Sequence, residues 1–162
     1  MSEITSTATE IKAGVIESEL SKHGVYASVT RGPSMKPLFK TARDMVIVKK
    51  PDRPLKKYDV VLYTGAKNRY TMHRIIAVRE NEYLIRGDNT YRIEHIPKEN
   101  IIGVLTEFNR KGKHHTVSDR GYIIYSRVWN FLYPVRFCLY KIRRLLGKLY
   151  RLIFKKAPPV KR

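Results

Sequence analysis

The sequence predicts one mainly β domain, with a helix at its N-terminus and a basic amphipathic helix at its C-terminus. Between residues 25 and 108, short apolar runs alternate with turn clusters rich in Gly and Pro, which is typical of many short strands. The residues before them repeat at helical spacing, and those after Tyr122 turn aromatic, aliphatic and basic. We therefore divide the chain into an N-terminal helix (1–24), a β domain (25–120) and a C-terminal tail (121–162).

The N-terminal helix is predicted over residues 3–22 and ends before Gly24, a common helix stop. Its apolar face is formed by Ile4, Ala8, Ile11, Val15 and Leu20. The period-two run Val25–Thr30 follows and predicts the first strand. Further strands are predicted at Met45–Val48, Asp59–Tyr63, Tyr70–Val78, Tyr83–Arg86 and Ile101–Phe108.

The tail contains a second amphipathic pattern, over residues 135–156, after Pro134. Its apolar face consists of Ile142, Leu145, Leu146, Leu149 and Ile153. Its basic face consists of Lys141, Arg144, Lys148, Arg151 and Lys155. This pattern predicts a helix with one apolar and one cationic side.

The charge distribution and the composition limit the classes of partner and of cross-link that the chain can have. Residues 1–109 carry 18 Lys and Arg against 13 Asp and Glu, whereas residues 110–162 carry 15 against one, within a net charge of +19. A basic tail implies an anionic partner, either nucleic acid or a lipid surface. The single cysteine, Cys138, excludes an internal disulfide. We expect no N-terminal signal sequence and no standard membrane span.

Three residues could together carry out nucleophilic hydrolysis: Ser34 in a Gly-Pro turn, His73 in a strand and Asp88 in a Gly-Asp-Asn turn. A serine hydroxyl needs a base to remove its proton, and neutral imidazole can do so near neutral pH. A carboxylate on the other ring nitrogen would fix the tautomer. Each residue alone has an ordinary structural explanation, but their order on a β scaffold favours Ser34 and His73 as a catalytic pair.

The same motifs resemble the type I signal peptidase family. They are Ser34-Met35-x-Pro37, His73-Arg74, Gly87-Asp88-Asn89 and Ile102-Gly103, within roughly residues 25–108. The chain is most similar to the branch that uses His as base, as in archaeal and endoplasmic-reticulum signal peptidases, and LexA-like self-cleaving repressors share the fold. The resemblance implies coiled antiparallel sheets and a serine endopeptidase, with no cofactor, that cleaves an extended peptide or precursor protein.

The sequence departs from that family at several positions. An amphipathic helix stands where secretory members have a membrane anchor, and Gly32 stands where many have a hydroxyl residue that helps to bind the oxyanion. The endoplasmic-reticulum branch often has a further Asp shortly after Gly-Asp-Asn, where this chain has Glu94. The acid that orients His73 is therefore Asp88 or Glu94, and we expect Asp88.

Other functions remain as alternatives. A LexA-like self-cleaving regulator would need a DNA-binding domain, for which the short segment before the β domain leaves little room. A catalytically inactive binding module would not need both Ser34 and His73. His114 and His115 lack further ligands at metal spacing, so no zinc site is predicted.

The basic tail has three possible partners. We favour a peripheral position on a membrane surface, bound through Lys141, Arg144, Lys148, Arg151 and Lys155, because cationic and apolar faces coexist with Trp129 and several Tyr residues. Nucleic acid ranks second, and docking to another protein ranks third. The sequence does not indicate which side of the membrane the protein occupies.

Overall fold

Eight antiparallel strands form one open sheet in the computed structural model, which describes residues 15–65 and 69–154. The strands are β1 (Val25–Val29), β2 (Met45–Lys49), β3 (Val60–Thr64), β4 (Tyr70–Val78), β5 (Glu82–Arg86), β6 (Glu94–Pro97), β7 (Ile101–Arg110) and β8 (Lys113–Thr116). The prediction of a mainly β domain is confirmed. The strands β6 and β8 were not predicted from the sequence.

Strand β7 organises the sheet, whose order is β1-β2-β7-β3-β4-β5-β6. One edge of β7 pairs with β2. Its other edge pairs with β3 near its start and with β8 near its end. The strand is ten residues long, which gives it room for both partners on that edge.

Three helices accompany the sheet: α1 (Val15–His23), α2 (Arg120–Phe131) and α3 (Tyr133–Phe154). Helix α1 ends as predicted at Gly24, whose φ of +69° suits glycine and whose N–H donates to the Leu20 carbonyl. The predicted helical residues 3–14 lie outside the described residues, as do 155 and 156 of the C-terminal helix. Helix α2 was not predicted, and it packs on the sheet rather than belonging to a free tail.

The two faces of the sheet carry different parts of the molecule. Side chains point alternately to the two sides of β4, so His73 and Arg74 lie on opposite faces of the sheet. We call these the His73 face and the Arg74 face. The His73 face carries a buried cluster that includes Val61, Tyr63, Ile75, Tyr83, Ile85, Ile96 and Val104. The Arg74 face packs against the loop between β1 and β2 and against α2, through Met35, Leu38, Phe39, Val60, Leu105, Phe108, Tyr122 and Tyr125.

A buried carboxylate anchors the loop that carries Ser34. Asp44 is fully buried, and its carboxylate accepts hydrogen bonds from the Lys40 N–H at 2.7 Å and from the Arg43 guanidinium at 2.7 and 2.8 Å. Its backbone carbonyl accepts the Thr30 N–H at 2.9 Å. The hydrogen bonds from Arg43 lower the pKa of Asp44 to about 2 against the opposing effect of burial, so the carboxylate stays ionised at neutral pH.

Candidate active site

His73 lies in the middle of β4 and is buried, with 6% of its surface exposed. Its Nδ1 lies 3.0 Å from Glu94 Oε1 and 3.0 Å from the Tyr63 hydroxyl oxygen. Strand register explains this arrangement. Val61 pairs with His73, so Tyr63 shares its face, and Ile75 and Glu94 both pair with Ile85 on that same face.

These contacts determine the tautomer of His73. The Tyr63 hydroxyl donates its proton to Glu94 Oε2 at 3.0 Å. Burial, followed by the charge of Glu94, raises the pKa of Tyr63, so the hydroxyl keeps that proton at neutral pH. Both groups facing Nδ1 are therefore hydrogen-bond acceptors. Neutral His73 carries its proton on Nδ1, which leaves the lone pair on Nε2.

Nε2 of His73 is buried and makes no hydrogen bond to any residue within 15–65 or 69–154. Burial lowers the pKa of His73, while the charges of Glu94 and Asp88 act in the opposite direction. The net decrease favours the neutral imidazole at physiological pH. The site thus holds an oriented base whose proton-accepting atom has no partner among the described residues.

Gly87 allows Ser34 to lie beside that atom. The register that pairs Arg74 with Arg86 places Gly87 directly across from His73. A methyl group at Gly87 would lie 2.8 Å from the Ser34 carbonyl oxygen and 2.9 Å from His73 Nε2. The carbonyl oxygen and Nε2 are therefore no further apart than these two distances combined. A larger residue at this position would occupy the space that brings the two segments together.

The turn after Gly87 also holds the Ser34 loop in place. The Asn89 N–H donates to the Ser34 carbonyl at 2.7 Å, and Asn89 Nδ2 donates to the Pro33 carbonyl at 3.3 Å. Ser34 itself is half-buried. Neither its N–H nor its hydroxyl is hydrogen-bonded to another residue in the described part of the chain. Both groups can therefore interact with a ligand.

Asp88 lies on the Arg74 face and pairs with Arg74 instead of His73. Its two carboxylate oxygens accept from the Arg74 Nε and Nη2 at 2.8 and 2.7 Å. Both side chains are almost fully buried, at 0% and 2% exposure. Tyr125 donates a further hydrogen bond to Asp88 at 3.0 Å. Of the two acids that the sequence left open, Glu94 is the one in contact with the imidazole.

The contacts of three other residues at this site were not predicted from the sequence. Tyr63 lies in a strand that was predicted, but nothing in its local sequence indicates a contact with His73. Helix α2 contributes Ser126, which accepts from Arg74 Nη1 at 2.9 Å, and Trp129, whose indole N–H donates to the Asp88 carbonyl at 2.8 Å. The steps of three and four residues between Tyr122, Tyr125 and Trp129 were the available signal for this helix. No group of three or more potential metal ligands occurs among the residues that the structure describes.

Comparisons with protein-family models and with curated proteins give no match. The function must therefore be argued from the motifs and the geometry of the site.

Substitution of Gly87 by Ala tests the close approach of Ser34 and His73. The new methyl group would lie 2.8 Å from a backbone carbonyl that Asn89 already holds, so the two segments must separate. We expect the free energy of unfolding to fall by about 1 to 3 kcal/mol. Urea unfolding followed by circular dichroism measures this change.

Gly121→Ala is the matched control, because no atom lies within 4 Å of a Cβ at this position in α2. A helix favours Ala over Gly, so this variant should be as stable as the parent or slightly more stable. Equal stability of the Gly87 and Gly121 variants would contradict the close packing described for Ser34 and His73.

Proposed function

We propose that the protein is a serine endopeptidase of the signal-peptidase type, with Ser34 as nucleophile, His73 as general base and Glu94 as the residue that positions the base. One observation carries the proposal. The Nε2 atom of a buried, oriented imidazole has no partner among the described residues and lies beside the segment that contains Ser34. An activated serine needs a base beside it, and the position of the Ser34 segment next to Nε2 supports this role.

The chemistry follows from these positions. Ser34 Oγ attacks the carbonyl carbon of a peptide bond while its proton moves to His73 Nε2. The imidazolium so formed is stabilised at Nδ1 by Glu94, and the leaving amine takes the proton from Nε2 as the C–N bond breaks. Water then hydrolyses the acyl-enzyme by the same proton transfers in reverse.

Stabilisation of the oxyanion would come from the backbone. Gly32 has no hydroxyl group, and its φ of +74° belongs to the turn that precedes Ser34. The N–H of Ser34 is the donor that this turn offers to a tetrahedral intermediate, since no described residue uses it. An N–H donor is sufficient in kind, because oxyanion sites are often built from backbone amides.

The two alternative functions lack comparable support. A self-cleaving regulator would use the same chemistry on its own chain, and none of the contacts of the Ser34 segment within residues 15–65 and 69–154 favours such a substrate. A binding module without activity has no need for a buried imidazole with a proton-accepting atom beside a serine. We therefore prefer hydrolysis of a separate peptide or precursor protein.

Loss of the nucleophile or of the base should abolish hydrolysis. We expect Ser34→Ala and His73→Ala to remove cleavage of a mixed peptide library, and the double variant to be no worse than either single variant, because the two residues act together. Mass spectrometry of the products and circular dichroism of each variant provide the measurement. Cleavage by folded Ser34→Ala at the parent rate would show that Ser34 is not the nucleophile.

Glu94→Gln should lower kcat by about 10² to 10⁴ fold, because the carboxylate no longer stabilises the imidazolium. Burial lowers the pKa of His73 and Glu94 raises it, so removal of the charge should also move the acid limb of the kcat/KM profile to lower pH. The measurement is a pH–rate profile on one peptide identified from the library.

Glu82→Gln is the matched control, because Glu82 also contacts a histidine, His95 Nδ1, at 2.8 Å but in an exposed pair. This variant should keep the parent rate and pH profile.

Asp88→Asn should chiefly destabilise the fold, by about 3 to 5 kcal/mol, because it leaves Arg74 buried without its partner. A folded Asp88→Asn that loses activity while Glu94→Gln does not would assign the orienting role to Asp88.

We further propose that helices α2 and α3 hold the enzyme on an anionic membrane surface. A continuous apolar stripe with steps of three and four residues runs along both helices, and most of its side chains are exposed: Ile124, Val128, Phe131, Val135, Leu139, Ile142, Leu146 and Leu149. Phe131 is 82% exposed. A stripe of this length on the surface marks an interaction site.

The positive charge of helices α2 and α3 favours an anionic surface as the partner of this stripe. Between Arg120 and Arg151 the chain has eight Lys and Arg and no Asp or Glu. The predicted residues Lys141, Arg144 and Lys148 are exposed, as is Arg151, whereas Lys155 lies outside the described residues. Each cation near an anionic surface contributes about 1 kcal/mol to binding. Within the described ranges, no helix has both the length and the apolar character that a membrane crossing requires.

Leu145→Gln with Leu149→Gln should abolish sedimentation with vesicles that contain phosphatidylserine, because both side chains are exposed on the apolar side of α3. A duplex-DNA shift assay on the same variant separates the alternatives, since DNA binding depends on the phosphate contacts of the cations. Tight DNA binding by the parent, without vesicle binding, would replace the membrane by nucleic acid as the partner.

A further inference from the structure

A pocket of about 370 Å³ lies between α2 and the start of β3, on the Arg74 face of the sheet. Its lining includes neither Ser34 nor His73. The pocket has an apolar floor, formed by Val60 and Leu105, which are almost fully buried, together with the half-buried Val117 and Ile123. Its volume falls within the range of about 300 to 1,000 Å³ that is usual for small-molecule sites.

The rim of the pocket is cationic. It includes Arg53, Lys56, Lys57 and Arg127, against a single acid, Asp59. Arg53 already forms a two-pronged ion pair with Asp59, at 2.9 and 3.1 Å. No acid in the described parts of the chain pairs with the other three cations, and all three are exposed. The rim therefore has excess positive charge directly above an apolar floor.

Three groups of the pocket wall also hold Arg74. Its Nη1 donates to the Tyr58 carbonyl at 3.0 Å, to Ser126 Oγ at 2.9 Å and to the Tyr122 hydroxyl at 3.2 Å. Tyr58 has a φ of +81°, a conformation that is costly for a residue other than glycine and is maintained only by its surroundings. The wall is thus fixed by the buried ion pair, so the pocket is preformed.

We propose that this pocket binds an anionic amphiphile, a molecule with a phosphate or carboxylate group on an apolar chain. The chain would lie on Val60, Leu105 and Ile123, and the anion would lie among Lys56, Lys57 and Arg127. The apolar floor would bind the chain of such a ligand, and the cationic rim would bind its anionic group. A nucleic-acid strand or an acidic peptide would use the cationic rim, whereas the apolar floor offers a further contact to a ligand that has an apolar chain.

Binding of this ligand does not require hydrolysis by Ser34, so the proposal stands independently of the proposed function. Its position has a consequence for the site, because the same wall positions Arg74 and, through it, Asp88 and the turn that follows Gly87. A ligand in the pocket would therefore stabilise the turn that carries the Ser34 contact. Its natural source is either a membrane lipid or a free fatty acid, which share this chemistry.

Isothermal titration calorimetry of the full chain with decyl phosphate tests the proposal, with decanol and inorganic phosphate as probes of each half alone. All three are used below micelle-forming concentration. We expect decyl phosphate to bind about tenfold or more tightly than either half-probe. Equal binding of decanol and decyl phosphate would overturn the proposal, as would the absence of decyl phosphate binding.

Amino-acid substitutions test whether decyl phosphate binds in this pocket. Lys57→Gln with Arg127→Gln should weaken decyl phosphate binding by about tenfold or more, and Ile123→Trp should do the same by filling the floor. Lys22→Gln with Lys98→Gln removes equal charge elsewhere and should leave binding unchanged, as should Leu145→Gln with Leu149→Gln on the apolar side of α3. Equal losses in the pocket variant and the charge control would show non-specific attraction and reject the site.

Vesicles that contain phosphatidic acid distinguish the two sources. A lipid source predicts that Ile123→Trp weakens vesicle binding as well as decyl phosphate binding. A free amphiphile predicts that this variant binds vesicles as the parent does. In both cases, decyl phosphate binding that is sensitive to Ile123→Trp supports the pocket, and insensitivity overturns it.

Discussion

The buried ion pair between Arg74 and Asp88 is the constraint on which the rest of the structure depends. A guanidinium that is completely buried needs a carboxylate and further acceptors, since an unpaired charge in a protein interior costs several kcal/mol. Asp88 supplies the carboxylate from the turn after β5, and α2 supplies Ser126 and the Tyr122 hydroxyl. One interaction therefore fixes a strand, a turn and a helix relative to one another.

Strand parity explains why Glu94 and not Asp88 contacts His73. Cross-strand partners share a face, so Gly87 lies on the His73 face and the next residue, Asp88, lies on the Arg74 face. Glu94 pairs with Ile85, which belongs to the His73 face. The sequence placed both acids near the site but did not predict β6. Without the register of that strand, the face of the sheet on which Glu94 lies could not be predicted.

Most strands and the end of α1 could be predicted, because short apolar runs between turn residues, the period-two run of β1 and Gly24 are local signals. Helix α2 was missed for a physical reason. Tyr125 and Trp129 face the sheet, while Ile124, Val128 and Phe131 face outward. Apolar residues therefore lie both on the side that faces the sheet and on the side that faces outward, so they do not mark a single buried face in the sequence. The short strand β8 has a polar sequence, so it gave no signal either.

The two sides of helices α2 and α3 make different contacts. The inner side holds the turn after Gly87, because the Trp129 indole and the Arg136 guanidinium both donate to the Asp88 carbonyl, at 2.8 and 2.6 Å. The Arg136 guanidinium also lies over the Trp129 ring, at 3.7 Å, which favours a fixed orientation of both. The outer side carries the exposed apolar stripe. A surface that binds this stripe would therefore also set the orientation of Ser34 and His73 relative to it, since these hydrogen bonds join the helices directly to the turn.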